Sequence, residues 1–262
     1  MSATAASDAS ERAWLARIEA EPYPHCPLVK LNTETLADIN TVWDSILTQE
    51  RAWRGEEEIL HVPGKSIERN AFWGEMAKDQ DEPLPGLVPF LDRYQGESKR
   101  AFDFGCGGGV HTRLLLERGW QVIAMDRSQE ALDVLKAKMR SGDQERLVIE
   151  QQDLSYLRFN YPPVDLVVAA NVFPYLRPVT LPPTWARIRD YIVQGGHLVG
   201  NFFGPLRDYK ELSFKVNRAY GAWLFPDLRL VPTLLQRTGY QLTAQPIVCE
   251  DSCHISFQAV KL

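Results

Sequence analysis

The sequence predicts an α/β fold in which a doubly wound, mostly parallel sheet ends in an antiparallel hairpin and follows a helical N-terminal extension. Three observations predict it. From Arg100 onward, short apolar runs alternate with segments of helical periodicity. A cluster of glycines separates the first apolar run from the first of these helical segments. The first third of the chain has only the apolar spacing that is typical of helices.

Strands and helices alternate along the rest of the chain. Alternation of this kind requires crossover helices and therefore parallel strands. No helix separates the last two strands, so we expect them to pair antiparallel. The predicted strands are Ala101–Phe104, Gln121–Met125, Arg146–Gln151, Val164–Ala169, His197–Phe202, Gln241–Val248 and Ser252–Lys261. The predicted helices are Val110–Arg118, Gln129–Arg140, Leu181–Val193 and Asp227–Thr238.

The N-terminal extension is predicted over residues 1–95, and the α/β domain over residues 96–262. A helix is predicted over residues 33–53, and Gly55 lies where it would stop. Because such a stripe more often serves packing than function, we expect it to dock the extension onto the domain. Prolines and Gly86 in Lys78–Pro89 predict a linker. The apolar stripe consists of Leu36, Ile39, Val42, Trp43, Ile46, Leu47 and Trp53.

Composition and charge narrow the functional classes. The 262 residues are 45% hydrophobic and 24% charged, which is ordinary for a protein that can bury a core. A formal net charge of −5 argues against a nucleic-acid partner, because such proteins usually have a basic face. No apolar run is long enough for a membrane helix, and the first residues lack a secretory-signal pattern. The four cysteines have no zinc-site spacing, so we expect reduced thiols, no metal and a cytoplasmic location.

The most informative segment joins the first predicted strand to the first helix of the domain. It reads Asp103-x-Gly105-Cys106-Gly107-x-Gly109. Glycines let a ligand approach the backbone closely, and open α/β sheets bind ligands at the carboxyl ends of their strands. The segment therefore predicts a nucleotide-like ligand. The Gly-x-Gly-x-x-Gly pattern of dinucleotide sites does not fit, because its third glycine would fall at position 110 or 112, and neither is glycine.

This pattern resembles the first motif of the class I methyltransferases that depend on S-adenosylmethionine (SAM) and have a Rossmann-like fold. The resemblance spans about Arg100 to Leu262 and implies SAM as the cofactor. It places Asp103 near the amino group of the methionine moiety. A carboxylate suits a ligand that has an ammonium and a sulfonium but no phosphate. The resemblance also implies cofactor contacts from the loop residues Gly105, Cys106, Gly107 and Gly109.

Two further strand ends fit the same family. Asp126 and Arg127 end the second strand, where an acidic residue about 20 positions after the glycines commonly binds ribose hydroxyls. The alternative role of Asp126 is to cap the next helix, although Ser128 can do so itself. After the third strand, the resemblance places Asp153 near the adenine amino group and the backbone amide of Leu154 near the ring. The alternative role of Asp153 is to start a loop.

The fourth strand ends in Asn171-Val-Phe-Pro-Tyr175, which resembles the family's fourth motif. We therefore expect Asn171, Phe173 and Tyr175 at or near the methyl-transfer site. Some amine-methylating relatives have two adjacent prolines here, and this chain does not, so a DNA amine is unsupported as the acceptor. Tyr175, His111 and His254 are the candidate bases, and none is decisive because a lone histidine more often has a structural role.

Two aromatic segments are candidates to enclose the site. Phe72 and Trp73 precede the domain, where relatives often place an aromatic residue over the cofactor. A second segment follows the fifth strand and interleaves aromatic with basic residues. The alternative for both is packing on the core. The second segment contains Phe202, Phe203, Arg207, Tyr209, Lys210, Phe214, Lys215, Arg218, Tyr220, Trp223 and Phe225.

The sequence thus predicts an enzyme that transfers the methyl group of SAM to a small-molecule acceptor, with the acceptor atom (O, N or S) left open. A protein or RNA methyltransferase, a nicotinamide-dependent oxidoreductase and a non-catalytic SAM-binding module are the alternatives. The glycine spacing argues against the oxidoreductase, and the complete set of cofactor residues argues against the module. The oligomeric state is left open.

Overall fold

A computed structural model describes residues 39–50, 53, 59–62, 65–79, 81–204, 221–223, 225, 230–244, 247–249 and 254–262. The described helices are α1 (Ile39–Leu47), α2 (Arg69–Lys78), α3 (Leu87–Arg93), α4 (Val110–Glu117), α5 (Gln129–Lys138), α6 (Leu181–Tyr191) and α7 (Leu230–Arg237). The described strands are β1 (Ile59–Val62), β2 (Lys65–Glu68), β3 (Arg100–Phe104), β4 (Gln121–Asp126), β5 (Leu147–Gln151), β6 (Val164–Ala169), β7 (Ile192–Phe203), β8 (Tyr240–Leu242), β9 (Ile247–Cys249) and β10 (His254–Lys261).

The main sheet has the strand order β5-β4-β3-β6-β7-β10-β8, and β9 also pairs with β10. Strands β3 to β7 run parallel, whereas β10 is antiparallel to β7, β8 and β9. The predicted doubly wound fold with an antiparallel C-terminal hairpin is therefore confirmed. The predicted strand Gln241–Val248 is split into β8 and β9, with a bend after Leu242.

Helices cover both faces of the sheet, so the central strands β3 and β6 are almost entirely buried. All six residues of β6 are buried, as expected for a parallel strand covered on both sides. Its side chains alternate between two apolar clusters: Val167 packs with α6 and α7, and Val168 packs with α3 and α4. The order of strands reverses between β3 and β6, which is the point where ligands bind in open α/β sheets.

The N-terminal extension packs against this core. Val42 and Ile46 of α1 are fully buried in the cluster that contains α6 and α7, so the described part of the apolar stripe docks as expected, while Leu36 lies outside the described residues. The extension also contains an antiparallel β1–β2 hairpin that the sequence did not predict. The predicted linker gives way to α3 at Leu87, and Pro89 is tolerated in the first turn because its missing N–H has no partner there. None of the described helices is long and apolar enough to cross a membrane.

Candidate functional site

A cavity of about 360 Å³ lies at the carboxyl ends of the parallel strands. Four neighbouring strands, β5, β4, β3 and β6, each lead into a predicted site residue: Asp153, Asp126, Gly105 and Asn171 respectively. Since neighbouring strands lie about 4.8 Å apart, the sheet sets these residues in a row along the cavity. The predicted residues that line it are Trp73, Gly105, Gly107, Asp126, Arg127, Asp153, Leu154, Asn171 and Tyr175.

The glycine loop presents backbone to the cavity. Gly105 has a φ of +62°, a left-handed conformation that glycine adopts without steric cost. A Cβ at this position would lie 2.5 Å from Cγ2 of Val172, so the loops after β3 and β6 are in close contact. Two N–H groups of this loop are already used within the protein: that of Cys106 donates to the Met125 carbonyl, and that of Gly107 to Oδ2 of Asp126 (3.0 Å).

Asp126 connects the end of β4 to the glycine loop. Its Oδ1 accepts from the backbone N–H of Ser128 (2.9 Å), while Oδ2 accepts from Gly107. Burial raises the pKa of its carboxyl, and these backbone hydrogen bonds partly oppose the rise. The helix cap is provided by Ser128, whose Oγ accepts from the N–H of Ala131 (3.2 Å). Asp126 therefore orders the loop and lines the cavity, and it does not cap α5.

Asp153 starts a short 3₁₀ helix and also lines the cavity. Its Oδ1 accepts from the backbone N–H of Ser155 (2.8 Å), so its predicted role as a loop-starting residue is present. The side chain is exposed, whereas Leu154 is buried beneath it. The two roles considered for Asp153 are compatible, because a carboxylate can accept several hydrogen bonds.

Three residues of the glycine motif lie behind the cavity. Asp103 is fully buried; its Oδ2 accepts from Oγ1 of Thr112 (2.5 Å), and its Oδ1 has no hydrogen-bond partner among the described residues. Burial raises the pKa of Asp103 to about 7, against the lowering effect of the Thr112 hydrogen bonds. Cys106 is buried against Leu132 and Leu135, and burial raises the pKa of its thiol. Gly109 precedes α4 and is likewise absent from the cavity lining.

The candidate bases differ in where their side chains lie relative to the cavity. Tyr175 lines the cavity. His111 does not: its Nε2 accepts from the backbone N–H of Leu84 (3.0 Å), and burial lowers its pKa to about 4. The imidazole is therefore neutral and anchors the segment before α3. The side chain of His254 lies outside the described residues.

Asn171 and Asn201 form a pair that the sequence did not reveal. Asn171 has a φ of +56°, a left-handed conformation that asparagine tolerates better than most residues. Its backbone N–H donates to Oδ1 of Asn201 (2.6 Å), and Nδ2 of Asn201 donates back to Oδ1 of Asn171 (2.7 Å). Asn201 is fully buried in β7. The sequence signal that could have revealed the pair is Asn201 itself, a lone amide within a run of apolar residues in a predicted strand.

Aromatic rings form one wall of the cavity. Trp73 of α2 contacts Tyr175 edge to face, and Tyr175 contacts Phe203 in the same manner (centroids 5.6 Å apart). Phe72 is buried behind Trp73. The cavity is also lined by residues that the sequence did not single out as site residues, among them Trp53, Arg69, Tyr156 and Arg177.

Other aromatic residues belong to the core. Phe173 was expected at or near the site, but it is fully buried and stacks with Phe202. Residues 205–220 of the aromatic segment lie outside the described residues, including Tyr209, Phe214 and Tyr220. Within the described part, Phe202, Phe203, Trp223 and Phe225 are buried, which agrees with the packing alternative.

Known proteins resemble parts of this chain. Residues 101–196 match a family model described as a methyltransferase domain. The cypemycin N-terminal methyltransferase of a Streptomyces species is 33% identical over 75 residues, which is 28% of this chain and 31% of that relative. The matched segment is thus about a third of the length of the curated relative.

Solved structures have the same fold. The TehB-like SAM-dependent methyltransferase from Corynebacterium glutamicum has a TM-score of 0.51 at 20% identity, covering 73% of this chain and 95% of its own. The magnesium protoporphyrin IX methyltransferase from Synechocystis PCC 6803 with bound SAM has a TM-score of 0.52 at 15% identity, covering 75% and 98%. At these identities the similarity concerns the fold.

Proposed function

We propose that the chain is a class I SAM-dependent methyltransferase that binds SAM in the cavity and transfers the methyl group to a small-molecule acceptor. The observation that carries the proposal is the row of Asp153, Asp126, Gly105 and Asn171 at the ends of β5, β4, β3 and β6. An elongated ligand with adenine, ribose and methionine parts meets these residues in that order. Asp153 and the amide of Leu154 bind the adenine.

The glycine loop fits SAM better than a dinucleotide. A pyrophosphate needs free backbone N–H groups, whereas those of Cys106 and Gly107 are occupied within the protein. The carboxylate of Asp126 can accept from ribose hydroxyls, with Arg127 beside it. Oδ1 of Asp103 has no hydrogen-bond partner among the described residues, which supports its assignment as the acceptor for the methionine ammonium.

When bound, SAM would supply a methyl group on a sulfonium: the acceptor would form a bond to the methyl carbon in line with the breaking S–C bond, and the sulfur would leave as a neutral thioether that needs no acid. The protein's part is to align the acceptor and exclude water. Trp73 covers the cavity, and Tyr175 is the side chain we assign next to the acceptor, as an orienting group or base. His111 is not assigned to catalysis, because its ring is turned to Leu84.

The N-terminal extension of residues 1–95 acts as a cap on the SAM-binding domain of residues 96–262. Trp53, Arg69 and Trp73 from this extension line the cavity, which supports the assignment. The acidic net charge of −5 favours a small acceptor over RNA. We assign the enzyme to the cytoplasm, where its cysteines would stay reduced. A peptide amino terminus is the second candidate acceptor, favoured by the local match to the cypemycin methyltransferase.

Calorimetric titration with SAM, S-adenosylhomocysteine (SAH) and NAD tests the proposal. We expect micromolar binding of SAM and SAH, about −8 kcal/mol, and none of NAD. Asp126→Ala should weaken both adenosyl ligands at least tenfold, whereas Asp92→Ala, an exposed carboxylate on α3, should not. Binding of NAD with no response to SAM would reject the proposal. Release of SAH during incubation with small molecules and amino-terminal peptides then separates the two acceptor classes.

A further inference from the structure

The amide pair of Asn171 and Asn201 has a fixed polarity. A backbone N–H can only donate, so the Asn201 atom that faces the N–H of Asn171 must be the oxygen Oδ1 (2.6 Å). The other end of the Asn201 amide is then Nδ2, which can only donate, and it faces the side chain of Asn171 (2.7 Å). The Asn171 atom that accepts this hydrogen bond must therefore be its oxygen. One backbone group thus determines the orientation of both amides.

This chain of hydrogen bonds leaves the Asn171 nitrogen for a ligand. Its Oδ1 is occupied by Asn201, while Nδ2 makes no hydrogen bond to any other described residue. Asn171 is half-buried and lines the cavity. The site therefore offers a neutral donor at the end of β6, and this donor would repel an ammonium hydrogen but bind an oxygen acceptor.

The position of Asn171 identifies the part of the ligand that it meets. It lies at the end of the row opposite to Asp153, and the neighbouring Val172 lies against Gly105. Under the proposed function, this end holds the methionine part. We propose that Asn171 donates through Nδ2 to the carboxylate of the methionine moiety, and that Asn201 is the positioning residue that keeps this nitrogen turned toward the cavity. The inference rests on the proposed function and assigns a further part of the same site.

Two nucleosides separate this contact from general damage to the site. SAH has the amino-acid carboxylate, and 5′-methylthioadenosine has the same adenosine and sulfur without it. Asn171→Gly removes the amide, and glycine accepts the left-handed backbone. A hydrogen bond to a charged group is lost with SAH only, so its dissociation constant should rise about tenfold or more. The dissociation constant of 5′-methylthioadenosine should stay within about twofold of the wild-type value, because this nucleoside has no carboxylate for Asn171 to bind.

Asn201→Asp tests the positioning role without touching the ligand. An aspartate still accepts from the N–H of Asn171 but offers a second acceptor where Nδ2 was, so the Asn171 amide should turn and point its oxygen at the cavity. At pH 8 the dissociation constant of SAH should rise about tenfold or more in this variant, whereas that of 5′-methylthioadenosine should stay the same. Ser256→Ala is the matched control: Ser256 lies opposite Asn201 on β10, is buried, and its Oγ has no hydrogen-bond partner among the described residues.

The outcomes are distinct. Selective loss of SAH in Asn171→Gly and Asn201→Asp, with Ser256→Ala like the wild type, supports the proposal. Unchanged SAH binding in Asn171→Gly overturns it, and so does an equal loss of both nucleosides, which would mean a structural role. If the wild-type protein bound neither nucleoside, the proposed function itself would fail and this inference with it.

Discussion

Trp73 and Tyr175 meet edge to face at the cavity, with ring centroids 4.9 Å apart and an interplanar angle of 75°. One ring comes from the N-terminal extension and the other from the loop after β6, so the contact joins the two sides of the site. An edge-to-face pair contributes about 0.5–1.5 kcal/mol beyond the area it buries. The extension and the loop therefore hold each other over the region where the methyl group would be transferred.

Removing the Trp73 ring should open the cavity. Trp73→Ala should weaken SAH binding about tenfold in calorimetric titration, because the ligand loses an aromatic cover and gains contact with water. Trp73→Phe should retain most of the affinity. Met76→Ala is the control, since Met76 lies on the same helix and lines the same cavity without a ring contact to Tyr175. An equal loss in Met76→Ala would argue against a specific role for the ring pair.

Glu50 fastens the segment after α1 to the loop that contains Tyr175. Its Oε1 accepts from Nε of Arg177 (2.5 Å), and its Oε2 accepts from the backbone N–H of Val179 (3.2 Å). The two side chains are 23% and 42% exposed, so solvent screens the ion pair and we expect it to contribute at most about 1 kcal/mol. Glu50→Gln should lower Tm by about 2–4 °C in low salt and by less in high salt.

The pair of Arg140 and Glu117 is the control for this measurement. Both of its side chains are more than half exposed, and it joins no part of the cavity. Glu117→Gln should leave Tm unchanged within error and should not alter SAH affinity, whereas Glu50→Gln should weaken SAH a fewfold through the loop. A Tm that fell equally in both variants at every salt concentration would contradict this account.

Gly108 brings the glycine loop against the end of α2. A Cβ at this position would lie 2.0 Å from the carbonyl oxygen of Ala77, and backbone cannot move aside cheaply. Gly108→Ala should therefore destabilise the protein by about 2 kcal/mol or more and weaken SAH binding, because α2 contributes Trp73 and Ala77 to the cavity. Urea unfolding and calorimetry measure the two effects.

Gly142 provides the comparison, since a Cβ there would meet nothing within 4 Å. Gly142→Ala should be neutral or stabilise by a few tenths of a kcal/mol, because alanine restricts the unfolded chain. If Gly108→Ala and Gly142→Ala had similar urea midpoints, α2 would have to shift away from the glycine loop at little cost in free energy.

The parts of the fold that the sequence predicted are those set by local pattern. The alternation of β3 to β7 with helices follows from periodicity, and the bounds of β6 agree with the prediction at both ends. The β1–β2 hairpin was missed because its strands are only four residues each, although the Pro63-Gly64 dipeptide between them is typical of turns. Short strands of this kind depend on tertiary packing, which a local pattern does not contain.

The candidate site divides in the same way. Asp126 and Asp153 could be predicted to lie together because strand ends meet at one edge of a parallel sheet, and both line the cavity. Arg69 and Asn201 were missed because their positions depend on contacts between distant segments. Phe173 was misplaced for a related reason: it begins a short 3₁₀ helix, which directs the ring into the core beside Phe202.

Asp103 should make stability depend on pH. Burial raises the pKa of its carboxyl to about 7 in the folded protein, against about 4 in the unfolded chain. Between these values the folded protein binds one more proton than the unfolded chain. Its contribution to stability is therefore fully present below about pH 4, is lost as pH rises to about 7, and is constant above that. His111, with a pKa lowered to about 4, acts in the opposite direction over about pH 4 to 6.5.

Asp103→Asn isolates the first effect, because the His111 contribution is common to both proteins and cancels in the difference. The asparagine oxygen can still accept from Thr112, so packing is retained. Relative to the wild type, the variant's free energy of unfolding should rise by on the order of a few kcal/mol between pH 5 and pH 8, measured by urea unfolding. Asp92→Asn, an exposed carboxylate, should keep the wild-type slope. A difference that stayed constant with pH would mean that the Asp103 carboxyl is ionised in the folded protein throughout this range.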